Sequence, residues 1–194
     1  DISVSTSNIL KHSFFWFDLE TTGLDPREAG MQPLEWALVL ADDAPGGTLE
    51  PVQSWAGVVH CPKPPPTCDL FVVGMHTKNG LWAECQTATE TVASTDDLLF
   101  GLAQMISGQD KPRGIELAGN SVHFDLEWCK VHFPKFASCL SHRVMNVSTL
   151  LAAGRTWCPD WEELPSANAH RALDDVYASL ALARHCRAKM GWGV

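Results

Sequence analysis

The sequence predicts an α/β domain built on a mixed β-sheet with helices on its flanks. Three apolar segments separated by turn signals open the chain, at residues 13–17, 34–40 and 55–60, and this order is typical of an antiparallel meander. From residue 96 onward the pattern becomes helix, strand, helix, strand and helix. Strands followed by alternating helices and strands indicate a five-stranded sheet that is flanked by helices.

The first strand is expected near the centre of the sheet, because residues 14–17 read FFWF and are apolar throughout. Turn signals close the first two strands, at Leu24-Asp25-Pro26 and at Pro45-Gly46-Gly47. The third strand leads into a proline-rich segment, 61–68. Its three consecutive prolines predict an extended surface loop.

Apolar spacing predicts the helices in the rest of the chain. They are expected at 69–75, 96–106, 122–132 and 171–189, with a short buried strand at 115–118 and a segment, 144–151, that begins extended and becomes helical. Asn79-Gly80 predicts a turn, and 154–168 a polar loop. Residues 1–194 are expected to form a single domain, with 1–12 as an ordered lead-in or the remnant of a longer chain.

The charge balance limits the class of substrate. The net charge is −9, and the sequence contains no cluster of Lys or Arg. Long nucleic acids are usually held by a basic stripe, so a short substrate in a pocket suits this chain better. Neither the 45% apolar content nor the length of any apolar run indicates a membrane protein.

Cysteine usage predicts the compartment. The seven cysteines are an odd number and include no C-x-x-C pair. A disulfide framework is therefore not expected. We instead expect buried free thiols in a reducing compartment. An intracellular location follows, in the cytoplasm or the mitochondrial matrix.

Four carboxylates and one histidine from three distant segments form the candidate catalytic set: Asp18, Glu20, Asp125, His170 and Asp175. Asp18 and Glu20 alternate at the end of the first strand, so they point to one face. Asp125 falls in the first turn of a predicted helix, where the helix dipole alone would also favour a carboxylate. Carboxylates gathered in this way are typical of sites that hold divalent metal ions against a phosphate.

His170 and Asp175 can converge only under one condition. Five residues on a helix correspond to 500°, which would separate the two side chains by 140°. We therefore expect His170 to precede the last helix and Asp175 to lie inside it. Asp174 competes with Asp175 for the metal-binding role, and the spacing alone does not choose between them.

The set predicts a two-metal phosphodiester hydrolase. Two divalent ions about 3.5–4 Å apart would clamp the scissile phosphate. One, held mainly by Asp18, Glu20 and Asp175, would activate a water whose proton passes to His170. The other, near Asp18 and Asp125, would stabilise the leaving 3′ oxygen.

The motifs resemble those of the DEDDh 3′→5′ exonucleases, and more closely those of the oligoribonuclease family. FDLETTGLDP, HTKNGL, AGNSVHFD and HRVMNVSTL are similar to that family's motifs and occur in the same order. With the final H-x-A-x-x-D they span residues 14–185. This last motif assigns the metal-binding role to Asp175 rather than Asp174.

The resemblance implies an RNase H-like fold, two Mg²⁺ or Mn²⁺ ions, a homodimer, and hydrolysis of short RNA, down to dinucleotides, to 5′-mononucleotides. It also implies roles for individual side chains in substrate binding. Leu24 corresponds to a wedge between the last two bases, and Phe71 to a tryptophan that stacks on a base. His76 and Ser121 correspond to residues that grip the 5′ phosphate, and His142 and Arg143 to residues that reach into the partner's site.

Several positions depart from the family pattern. Phe71 replaces tryptophan, His142 replaces tyrosine and Asn146 replaces aspartate. Leu24 and Phe71 are also compatible with plain core positions, and His76 with a structural role in a loop. Two other functions stay open: a DEDDh exonuclease that trims longer RNA or single-stranded DNA, and a non-catalytic scaffold subunit that retains the fold.

Overall fold

The computed structural model describes residues 14–107, 114–165 and 169–191, so the predicted lead-in and the last three residues of the predicted loop 154–168 lie outside it. The described residues form five strands: β1 (Phe15–Thr21), β2 (Pro33–Ala41), β3 (Pro51–Val58), β4 (Ile115–Gly119) and β5 (Leu140–Asn146). They also form seven helices: α1 (Leu70–Lys78), α2 (Leu81–Thr87), α3 (Val92–Ser107), α4 (His123–His132), α5 (Pro134–Ser138), α6 (Val147–Trp157) and α7 (Ala172–Lys189).

The five strands make one mixed sheet in the order β3-β2-β1-β4-β5. β1 pairs antiparallel with β2 and parallel with β4, and β2 and β3 complete the antiparallel meander. β5 pairs parallel with β4 and forms one edge of the sheet. The predicted fold class, including the central position of β1, is confirmed.

The apolar side chains of β1 alternate between two cores, which is why its sequence is almost continuously hydrophobic. Phe15, Phe17 and Leu19 face the core that α3, α4 and α5 cover. Trp16 faces the opposite core, which α7 covers with Val176, Leu180 and Ala183 among others. α7 was predicted at nearly its observed bounds, and its N-terminus lies at the end of the sheet where Asp18 and Glu20 are found.

The pair of helices α1 and α2 differs from the prediction. The side chain of Asp69 caps α1 by accepting a hydrogen bond from the Phe71 N–H at 2.7 Å, and the helix continues through Lys78 instead of ending at residue 75. Gly80 has a φ of 83°, a left-handed conformation that glycine adopts without a steric cost, and α2 follows it directly. α2 was not predicted, because seven residues are too few to display a helical period.

Other boundaries also shift, including those of β3, α3 and α6. β3 runs from Pro51 to Val58 rather than over 55–60. α3 begins four residues earlier than expected, where Thr91 and Ser94 exchange backbone-to-hydroxyl hydrogen bonds of 2.9 and 3.1 Å. α6 extends through Trp157 into the predicted loop. The short helix α5 was also not predicted, and its first N–H groups are capped by Asp96 from α3.

All seven cysteines are free thiols, and five of them are buried, as expected. The proline-rich segment 61–68 has no helix or strand and connects β3 to α1. Among the helices in the described residues, none has both the length and the apolar character needed to cross a bilayer.

Candidate active site

Asp18 and Glu20 lie inside β1, which continues four residues beyond its predicted end. Because they are two positions apart in an extended strand, both side chains point to the face covered by α7. Glu20 is buried, and Asp18 is partly exposed to a cavity. The strand therefore presents two carboxylates at the point where the sheet meets the start of α7.

Asp125 reaches the same end of the sheet from α4. It lies in the first turn of that helix, as predicted, and its side chain is buried. Its Oδ1 atom accepts a hydrogen bond of 2.9 Å from the backbone N–H of Leu19. This bond fixes the carboxylate against the β1 residue that separates Asp18 from Glu20.

His170 and Asp175 converge in the way that the spacing required. His170 precedes α7 with a left-handed backbone φ of 52°, and Asp175 lies in the first turn of the helix. One potential ligand atom from each of Glu20, His170 and Asp175 lies within 4.8 Å of the others. Asp174 is exposed to solvent, so the geometry agrees with the choice of Asp175.

The carboxylates strongly perturb one another. Burial, and then the nearby Asp175, raises the pKa of Glu20 to about 8. Burial raises the pKa of Asp125 to about 8 although the Leu19 N–H opposes the shift. Burial and the charges of Asp125 and Glu20 raise the pKa of Asp18, and burial raises that of Asp175. Such a cluster destabilises its own ionised form unless positive charge is bound to it.

This donor set fits a divalent cation. Glu20 and Asp175 supply carboxylate oxygens and His170 an imidazole nitrogen within one ion's reach, while Asp18 lines the adjoining cavity. Hard cations such as Mg²⁺ and Mn²⁺ prefer carboxylate oxygens. A bound cation would also stabilise the ionised carboxylates, which burial and, at Asp18 and Glu20, mutual repulsion disfavour.

His170 separates two cavities. The first, of about 360 Å³, extends between α6 and α7 and is lined by Asp18, His170, Asp175 and Arg155 among others. The second, of about 580 Å³, extends along α1 and is lined by Phe71, Met75 and Lys78 among others, with His170 at its end. His170 is therefore part of the lining of both cavities.

The predicted substrate residues Leu24 and Phe71 are exposed. Leu24 is 83% exposed and Phe71 is 73% exposed, so neither belongs to the core. Phe71 lines the second cavity. An apolar side chain in such a position has no packing role in the folded chain, which leaves its ring available for a ligand.

His76 is buried beside Glu20. Its imidazole is completely buried, with Nε2 3.6 Å from Oε2 of Glu20, and burial lowers its pKa, which favours the neutral ring. His76 is not among the residues that line either cavity beside His170. α1 extends through His76 and buries its side chain, and the expected grip on a 5′ phosphate stays a prediction.

Ser121, His142 and Arg143 lie outside the carboxylate cluster. Ser121 is exposed, and its backbone N–H donates to Asn146 and Ser148 at 3.0 and 2.9 Å. His142 and Arg143 are exposed on the edge strand β5. Within the described chain they do not line either cavity beside His170.

Sequence reasoning missed Glu35 and Arg171, which contact each other next to His170. One signal could have found Glu35: it is an acidic residue within an otherwise apolar, buried strand, and such a residue needs a partner. For Arg171 the sequence carries no signal, because its two glutamate partners lie 136 and 87 residues away.

Sequence comparisons place the chain among nucleases. The sequence model of the exonuclease family matches residues 15–183. A probable oligoribonuclease of Schizosaccharomyces pombe is 32% identical over 92% of this chain and 69% of its own length. An oligoribonuclease of Corynebacterium diphtheriae is 30% identical, over 85% of this chain and 77% of its own.

Comparison with solved structures supports the fold. Escherichia coli exonuclease I in complex with a dT13 oligonucleotide superposes with a TM-score of 0.69 at 17% identity, over 93% of this chain and 42% of that one. Exonuclease I of Methylocaldum szegediense gives a TM-score of 0.67 at 18% identity. The chain spans about two fifths of these structures, and at such identity the likeness concerns the fold alone.

Proposed function

The chain belongs to the exonuclease family and, within it, to the oligoribonucleases, and from this premise we propose that it hydrolyses short RNA from the 3′ end to 5′-mononucleotides. The substrates extend down to dinucleotides. We assign the catalytic role to His170 together with Asp18, Glu20, Asp125 and Asp175. The enzyme class is that of a metal-dependent phosphodiester hydrolase.

The observation that carries this proposal is the convergence of Glu20, His170 and Asp175, whose ligand atoms lie within 4.8 Å of one another. Glu20 precedes His170 by 150 positions in sequence, and the three residues come from a strand, a loop and a helix. Asp18 and Asp125 reach the same end of the sheet. A scaffold protein has no need for buried carboxylates whose ionisation opposes folding, which argues against the non-catalytic alternative.

We infer that the cofactors are two divalent ions, Mg²⁺ or Mn²⁺, held by Asp18, Glu20, Asp125 and Asp175. When bound, they supply positive charge to the scissile phosphate and to the leaving 3′ oxygen. His170 accepts a proton from the attacking water at an imidazole nitrogen. Its position before α7 lets the ring lie beside Glu20 and Asp175.

The walls of the second cavity would orient the substrate. Phe71 offers an exposed aromatic face on which a base can stack, and such stacking tolerates any base. Leu24, also exposed, serves as the wedge. Ser121, and also His142 and Arg143 from a partner subunit, are assigned to the 5′ end of the substrate, whereas Nε2 of buried His76 lies 3.6 Å from Oε2 of Glu20.

A short substrate suits the charge of this protein better than a long one. The net charge is −9, and long single strands are bound through cationic grooves whose affinity depends strongly on salt.

We further infer a homodimer through the edge strand β5, which carries His142 and Arg143. Seven free thiols favour a reducing compartment.

A length series tests the proposal. Purified protein with Mg²⁺ or Mn²⁺ is given 5′-labelled RNA of two, five and twenty nucleotides, and the same lengths of DNA. We expect the highest kcat/KM on the dinucleotide, release of 5′-mononucleotides, and loss of activity in EDTA. A preference for the twenty-nucleotide RNA or for DNA would favour the exonuclease of longer strands, and turnover that resists the chelator would contradict the metal-dependent mechanism.

A further inference from the structure

Arg171, the residue directly after His170, is held by two glutamates from two other elements. Its Nε atom donates to both carboxylate oxygens of Glu35 at 3.1 Å, and its Nη2 atom donates to Oε1 of Glu35 at 2.8 Å. On the other side, Nη1 and Nη2 donate to the two oxygens of Glu84 at 2.9 and 2.8 Å. Paired bonds of this kind fix the plane of a guanidinium as well as its position.

Glu35 also holds the start of α7. Its Oε2 atom accepts a hydrogen bond of 2.9 Å from the backbone N–H of Ala172, the first residue of that helix. The N-cap position itself is occupied by Arg171, whose side chain does not cap the helix. Glu35, near the start of β2, therefore takes over the capping role from a different element.

His170 is fixed from a third direction. Its carbonyl oxygen accepts a hydrogen bond of 2.6 Å from the side-chain amide of Asn79, at the junction of α1 and α2. Its φ of 52° lies in the left-handed region, which a residue with a side chain occupies at a cost. Such a conformation persists where the surroundings determine it through several contacts.

These contacts join three structural units at the consecutive residues 170–172. β2 contributes Glu35, α2 contributes Glu84, and the turn between α1 and α2 contributes Asn79. Glu35 lies directly opposite Glu20 in the β1–β2 pairing. The bonds made by Arg171 thus link the position of His170 to the strand pair that carries Glu20. They also link it to α1 and α2, the first of which carries Phe71.

We propose that Arg171 is a positioning residue: its ion pair with Glu35 fixes the place of His170 beside Glu20 and Asp175. Because Arg171 does not line either cavity, it acts on the reaction through its neighbour rather than through the substrate. The inference rests on the proposed function, since it concerns the geometry of a proton acceptor. It assigns positioning roles to Arg171 and Glu35, and a smaller one to Glu84.

Two measurements on Arg171→Ala test the proposal. Substrate turnover on diribonucleotides is expected to lose roughly 10–100-fold in kcat, the usual cost of removing a residue that orients a catalytic group, while KM changes little. Backbone hydrogen exchange over residues 169–176, followed by mass spectrometry without substrate, is expected to become faster. Loss of a residue that served only the general stability of the fold would not both lower kcat and speed exchange over residues 169–176 at temperatures well below unfolding.

Arg184→Ala is the matched control. Arg184 also lies on α7 and also joins a glutamate, Glu50, and a backbone carbonyl, that of Leu49, at 3.2 and 3.0 Å. Its loss is expected to leave both kcat and the exchange of residues 169–176 at the values of the unmodified protein. If Arg184→Ala changed them as much as Arg171→Ala, the effect would be one of helix stability and the proposal would be overturned.

A double variant protects the test against misfolding, because Arg171→Ala leaves the buried charge of Glu35 unpaired. Combining Arg171→Met with Glu35→Gln removes both charges and keeps an acceptor for the Ala172 N–H. We expect a folded protein with low kcat and fast local exchange, whereas normal values of both would overturn the proposal. If the unmodified protein does not cleave short RNA, the proposed function fails, and hydrogen exchange still decides whether Arg171 positions His170.

Discussion

The carboxylate of Asp125 is bound to the backbone N–H of Leu19 at 2.9 Å, so a residue of α4 is fixed between Asp18 and Glu20 on β1. The contact crosses 106 positions of sequence and fixes a charge that is 3% exposed. A buried carboxylate with one hydrogen bond is costly to ionise. Under the proposed function, Asp125 serves to bind a cation rather than to add stability.

The variant Asp125→Asn separates the effect of Asp125 on cation binding from its effect on stability. The amide oxygen can still accept from the Leu19 N–H, so the variant should fold and should unfold at the same temperature as the chelated wild type or higher, because a buried amide does not need the proton uptake that buried Asp125 requires. The rise in melting temperature that Mn²⁺ produces in the wild type by binding the folded state should be lost, together with activity. Glu127→Gln, on the same helix but exposed, is the control and should retain both. A full Mn²⁺ response in Asp125→Asn would remove Asp125 from the metal site.

The chelated protein should lose stability as the pH rises. Glu20 and Asp125 have pKa values raised to about 8 in the folded state, whereas carboxyls in an unfolded chain titrate near 4. Between these values the folded protein holds protons that the unfolded chain has lost, so its stability declines from about pH 4 to about pH 8. Thermal unfolding in EDTA of wild type and Glu20→Gln isolates this contribution, because the remaining groups cancel. The difference between the two should grow with pH in favour of the variant, and a constant difference would contradict the assignment.

Substitutions of Asp174 and Asp175 should have very different effects on kcat, although the two residues are neighbours. Asp175 faces Glu20 and His170, whereas Asp174 is exposed on the next position of the helix. Asp175→Asn is therefore expected to lower kcat by at least about 100-fold, since it removes a ligand of the catalytic ions. Asp174→Asn should retain kcat and the melting-temperature shift produced by Mn²⁺. Equal losses of kcat in both variants would contradict the assignment of the metal-binding role to Asp175 rather than Asp174.

Much of this arrangement could be predicted from local sequence. The FFWF run specified a central strand because few other environments accept four such side chains in a row. The alternation of Asp18 and Glu20 specified a common face, and the geometry of a helix placed His170 outside α7. These inferences worked because strand and helix periods depend on backbone geometry alone.

Other parts depend on contacts between distant residues and could not be predicted in this way. His76 looked like a loop residue beside an Asn-Gly turn, but α1 continues past it and buries it against Glu20. α2 is stabilised by packing of Leu81, Trp82 and Cys85 in a core with Leu34, which no window of seven residues reveals. The exposure of Leu24 and Phe71 follows from tertiary packing as well, because an apolar residue carries the same local signal in either setting.

Phe71→Ala should weaken substrate binding without affecting stability. Phe71 is 73% exposed, so its loss leaves the core intact, while a stacked base is worth about 1–3 kcal/mol and its loss should raise KM roughly tenfold. Phe71→Trp keeps the stacking face and should retain KM. Met105→Ala, an exposed apolar change on the remote helix α3, is the control. An unchanged KM in Phe71→Ala would show that the base does not stack there.

In the proposed homodimer, Arg143 is expected to act on the partner's site. Arg143 is exposed on the edge strand β5 and does not line either cavity of its own chain. Arg143→Ala and His170→Ala should therefore each be nearly inactive alone. Mixed and allowed to exchange subunits, they should recover about one site in four, because the Arg143→Ala subunit keeps its own His170 and receives Arg143 from its partner. Activity that stays at the level of the separate variants, in a preparation shown by sedimentation to contain mixed dimers, would mean that Arg143 does not act in trans.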